Sequence, residues 1–117
     1  MDEELHAQLL AIYLEEGADL LGQLAGLWDT IAAAEPEQAD GHRKTAVRVA
    51  HNFAGIAGST GFMSAMRLGL ALDLLARARL SEEKLGLARG ATALLLSSLG
   101  KHGQEGAQDD MERALRA

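Results

Sequence analysis

The sequence predicts an all-α protein, an antiparallel four-helix bundle in one domain, and three observations lead there. Apolar residues recur at intervals of three and four along most of the chain, with no strand alternation and no internal repeat. The only Pro, Pro36, and short Gly-containing stretches fall between the periodic segments. Hydrophobic residues make up 48% of the 117 but aromatic ones only 3%, so the core must be built from Leu, Ala and Met, which suits closely packed helices. A chain of this length supports one domain. The bundle is expected over residues 1–103, with a loose tail over 104–117.

The first helix is expected from about residue 4 to 33, because Leu10, Tyr13, Leu14, Gly17, Leu21, Leu24, Trp28 and Ile31 form one apolar face. Asp2, Glu3 and Glu4 suit a positive helix start. A break near residues 5 to 8 would split off a short N-terminal helix, and the pattern leaves this open. Residues 34–41, around Pro36, read as the first connection. A second helix over 42–60 turns Ala46, Val49, Phe53, Ile56 and Thr60 toward the core. Its other side carries Lys44, Arg48, His51, Gly55 and Gly58, with Val47 and Ala54 at the edge. Gly61 can end this helix in a left-handed turn with Phe62 folding back, and Ser64 can start a third helix running to about Arg79. Ser81, followed by Glu82 and Glu83, opens a fourth helix through Leu85, Ala88, Thr92, Leu95 and Leu99, ending near Gly100 to Gly103. In the tail, Met111, Ala114 and Leu115 could form an amphipathic turn or two.

Charge is unevenly spread. The first 42 residues hold ten acids and no Lys or Arg, whereas residues 43–101 hold nine bases against three acids. The bland outcome is an acidic face beside a basic one; the sharper one is a basic surface for an acidic partner. Nucleic acid is disfavoured, since the net charge is -6 and the aromatic residues are not interleaved with the bases. The absence of Cys excludes a disulfide framework and thiol catalysis and makes a cytoplasmic location the expectation. No apolar run approaches 18 residues, and the acidic N-terminus is unlike a signal peptide.

His51 is the candidate reactive residue. Gly55 and Gly58 follow it by one and two helical turns, and each costs roughly 1 kcal/mol relative to Ala inside a helix. Two explanations compete: the glycines admit a neighbouring helix, leaving His51 merely solvated, or they bare the surface beside the imidazole for another protein. His6, His42 and His102 lie in separate segments without a second ligand one turn away, so no metal site is expected. Neither a nucleophile elbow nor a phosphate-cradling glycine loop is present.

The stretch from Ala50 through His51, Phe53, Gly55, Ala57, Gly58 and Gly61 to Phe62 resembles the signature of histidine-containing phosphotransfer (HPt) domains, including the phosphorylated domain of chemotaxis kinases. The resemblance extends over about residues 8–100. It implies a four-helix bundle of the HPt type and a phosphoryl carrier in a two-component phosphorelay. His51 would accept the group at Nε2 from the aspartyl phosphate of a response-regulator receiver domain and pass it to that or another receiver. A neutral imidazole is a competent nucleophile near pH 7. The acid pocket and magnesium would belong to the partner, so neither cofactor nor metal is expected in this chain, nor kinase machinery.

By the same resemblance Asp73 matches a glutamate that hydrogen-bonds the histidine; its other reading is an ion pair with Arg77 four residues on. Ala54 departs from the family, which usually has Lys there beside the phosphoryl group. Arg48 could substitute for that cation. The implied docking surface centres on His51, Gly55 and Gly58, is edged by Val47, Ala54 and Arg48, and extends to Phe62 and Met63. Its expected partners are a receiver domain and a sensor histidine kinase, with no membrane or nucleic acid, and the chain is expected to be a monomer. The departure at Ala54 supports an alternative, a receiver-binding module that carries no phosphate. A structural or dimerising bundle, joined through Met111 to Leu115, is the third reading.

Overall fold

The computed structural model describes residues 3–100, and among them are four helices and no strand. The helices are α1 (Glu3–Ala33), α2 (Pro36–Thr60), α3 (Met63–Ala76) and α4 (Glu82–Gly100). Each has two neighbours: α1 packs on α2 and α4, and α3 on the same two. The arrangement is compatible with a four-helix bundle. No described helix is long and apolar enough to cross a membrane. The tail expected over 104–117, with Met111 to Leu115, and His102 lie outside the described residues.

Of the stripe read along α1, Tyr13, Gly17, Leu21, Leu24, Trp28 and Ile31 are buried, while Leu10 and Leu14 are half-buried at its edge. The helix runs through residues 5–8 without a break. Trp28 is fully buried, and its indole N–H donates to Thr92 Oγ1 at 2.8 Å. Thr92 in turn donates to the Ala88 carbonyl at 2.7 Å, so one polar chain ties α1 to α4 inside the core.

The connection before α2 is shorter than expected. Only Ala34 and Glu35 link the helices, and Pro36 opens α2 instead of lying in a loop that ends at Gly41. The first turn of a helix needs no amide hydrogen there, and the fixed φ of Pro suits the position. The amides of Gln38 and Ala39 both donate to the Glu35 carbonyl at 2.9 Å, and Ala39 is buried. At the far end Gly61 has φ 91°, a left-handed conformation that favours Gly. Its amide bonds to the Gly58 carbonyl and that of Phe62 to the Ala57 carbonyl, which is the paired closure of a Schellman turn.

Helix α3 begins at Met63, one residue before the expected Ser64, and Ser64 is buried without capping. It stops at Ala76, short of Arg79, where the amides of Arg77 and Ala78 reach back only three residues, to Leu74 and Leu75. Ser81 caps α4 as expected, its hydroxyl accepting from the Lys84 amide at 3.2 Å.

Phe53 fixes the rotation of α2. Its ring is fully buried between two glycines: a Cβ on Gly17 of α1 would lie 3.5 Å from it, and one on Gly69 of α3 only 3.0 Å. Tyr13 packs on the same ring with centroids 5.9 Å apart. Two residues before Phe53 along the helix is His51, about 200° away around it, so anchoring Phe53 in the core turns the imidazole outward.

Candidate functional site

His51 occupies the ridge of α2 between its contacts with α1 and α3, and its side chain is 68% exposed. On the α3 flank stands Asp73, whose side chain is only 7% exposed. Its Oδ2 is 3.5 Å from His51 Nδ1, and its Oδ1 accepts from Arg77 Nε at 2.8 Å. Both readings of Asp73 therefore describe part of the geometry, because the two oxygens serve different partners. The Arg77 contact is a formed, charge-assisted hydrogen bond, whereas 3.5 Å to the imidazole is ion-pair range and longer than a good hydrogen bond. Nε2 is left as the ring nitrogen without that carboxylate.

The two glycines beside His51 separate the competing explanations given for them. A Cβ on Gly58 would meet Met66 Sδ at 2.9 Å, so Gly58 makes room for α3. A Cβ on Gly55 would meet nothing within 4 Å. Gly55 is exposed and serves no packing purpose, and it leaves open surface one turn from the imidazole.

On the α1 flank lies an open groove of about 480 Å³, lined by Leu9, Ile12, His51, Gly55, Ile56 and Ser59 among others. Ile12 is 45% exposed. Ile56, expected in the core, is half-buried and forms part of this wall. Leu9 and Ile12 were not among the expected site residues, although a signal for them existed. Leu5, Leu9 and Ile12, spaced by four and three, form a second apolar stripe beside the core-facing one.

The remaining expected surface residues divide. Arg48, Gly55 and Met63 are exposed, and Val47 and Gly58 are half-buried. Val47 lines a separate groove between α2 and α3 with Asp40, Arg43, Lys44, Ala76 and Arg77. Phe62 turns inward, stacked on Tyr13 at a centroid distance of 4.7 Å and an interplanar angle of 16°. Ala54 needs correction as a surface residue: it is 2% exposed, and a Cβ on Gly69 would lie 3.2 Å from its own Cβ. Helix α3 crosses over it, so Ala54 is a packing residue and cannot offer its side chain to a partner.

His6 lies in α1 and His42 in α2, apart from this site. Among the described residues no three His, Cys, Asp or Glu side chains cluster as metal ligands. Comparison with protein-family models, with curated proteins and with solved structures returns no match.

Proposed function

We propose that the protein is an antiparallel bundle of the HPt type that carries a phosphoryl group on His51 in a cytoplasmic two-component phosphorelay. The observation that carries this reading is an exposed imidazole with its Nδ1 facing a buried carboxylate and bare helix surface at Gly55 beside it. In the proposed step the Nε2 lone pair attacks the phosphorus of a receiver's aspartyl phosphate. The P–N bond forms, the P–O bond breaks, and the partner's carboxylate leaves with the electron pair. The Nδ1 proton stays on the ring, which becomes cationic, and Asp73 stands where that charge appears. The receiver supplies magnesium. Its docking surface meets Gly55, Arg48 and Met63, together with the groove walled by Leu9 and Ile12.

Mixing the protein with phosphorylated receiver domains and following its intact mass tests the reading. A phosphoryl adduct that is acid-labile, alkali-stable and absent from His51→Gln is the expected result. The alternative, a receiver-binding module without phosphate, draws on the burial of Ala54, which leaves the family's cation position under α3. Receivers that bind yet leave no adduct would favour that module, and neither binding nor adduct would remove both.

A further inference from the structure

Asp73 has two oxygens and two claimants, and the distances are unequal. Arg77 holds Oδ1 at 2.8 Å, while His51 Nδ1 stands 3.5 Å from Oδ2. Arg77 reaches the carboxylate from four residues on, at the C-terminal cap of α3, with its side chain 58% exposed. The carboxylate itself is almost wholly withdrawn from water, so its charge must be met by protein groups. Around Arg77, the groove between α2 and α3 also holds Asp40, exposed and paired with the half-buried Arg43, and the exposed Lys44, with Arg48 exposed one turn further along α2. Leu9 and Ile12, the α1 residues nearest in the groove on the other flank, are apolar.

We infer that Arg77 is a positioning residue that competes with His51 for Asp73 and thereby keeps the carboxylate from closing on the imidazole. This inference rests on the carrier reading for its functional consequence but not for its geometry. An Asp73 hydrogen bond to Nδ1 would favour the ring carrying its proton there and would stabilise the cationic phosphoimidazole. By drawing Asp73 away, Arg77 weakens that stabilisation. The phosphoryl group on His51 then stays easy to return to an aspartate, as a carrier requires.

The test uses Arg77→Gln, which removes the charge but leaves an amide donor for the buried carboxylate, and Arg77→Lys, which restores the charge. Nitrogen-15 spectra of the His51 ring read the fraction of neutral imidazole protonated at Nδ1, with no phosphate needed. That fraction is expected to rise in Arg77→Gln, to return toward the wild-type value in Arg77→Lys, and not to respond to Arg77→Gln in an Asp73→Asn background. An unchanged fraction, a fall, or the same rise without Asp73 overturns the inference. A fall would mean that Arg77 aims the carboxylate at the ring. With phosphorylated receivers, the equilibrium ratio of phosphoryl on His51 to phosphoryl on the receiver is expected to rise about threefold or more in Arg77→Gln, the worth of one strengthened hydrogen bond. If no wild-type adduct forms, the carrier reading fails while the ring spectra still decide the competition.

Discussion

The Trp28 indole and the Thr92 hydroxyl meet at 2.8 Å in the fully buried seam between α1 and α4. Thr92→Val keeps the shape and removes the acceptor, leaving an indole N–H without a partner. A loss of about 1 to 3 kcal/mol is expected in denaturant unfolding. A smaller loss on introducing Thr92→Val into a Trp28→Phe background than into the wild type would identify the stranded donor as the cause.

Gly55→Ala separates stability from docking. The new methyl meets no neighbour, and replacing a helical Gly gains roughly 0.5 to 1 kcal/mol. The thermal midpoint is expected to rise, and under the proposed carrier function receiver binding and transfer to His51 decline. A variant that gains stability and transfers normally would remove Gly55 from the docking surface.

Gly69→Ala is expected to move stability the other way. Its Cβ would stand 3.0 Å from the Phe53 ring and 3.3 Å from the Ala54 Cα, and backbone cannot yield as a flexible side chain can. Overpacking of this kind costs about 1 to 3 kcal/mol. Gly58→Ala presses only on the flexible Met66 thioether and should cost less; equal losses at the two positions would contradict this account.

Tyr13 confers a pH dependence of defined sign. Burial pushes its phenol from the ordinary 10.0 up to about 12. The folded state therefore holds the proton more tightly than the unfolded chain, and this contribution is complete below pH 10. It is lost as pH rises through about 12, and it amounts to about 2 to 3 kcal/mol at most. Unfolding free energies of wild type and Tyr13→Phe, compared between pH 9 and 12, should diverge over that window, the wild type falling faster. Parallel curves would show the phenol to be accessible in the folded state.

The legible parts of the fold were those with a strong local cause. The stripe through Tyr13, Leu24 and Trp28, the Gly61 turn and the Ser81 cap follow from periodicity and capping chemistry alone. Pro36 misled because a proline both breaks helices and starts them, and only the burial of Ala39 and the amide bonds to Glu35 distinguish the two.

At the site, the outward position of His51 could be read from the helical period, but the fate of its flanks could not. Ala54 sits at the edge of the exposed arc, and whether that edge is covered depends on where α3 crosses. The crossing is set by Gly69, fifteen residues away in the chain. The division of Asp73 between Arg77 and His51 likewise depends on differences below an ångström between two contacts, which no spacing rule resolves.

Residues 3–8 of α1 are all exposed, and burial of its core stripe begins only at Tyr13. The amides of residues 7 and 8 are held by the helix's own ladder with little tertiary support, so they should exchange with solvent through openings far cheaper than global unfolding. Leu9 and Ile12 stand at the inner limit of that zone. The groove beside the imidazole is thus bounded by one wall of high protection, α2, and one of low protection, and fraying of the second would reshape the groove while Phe53 and Trp28 stayed in place.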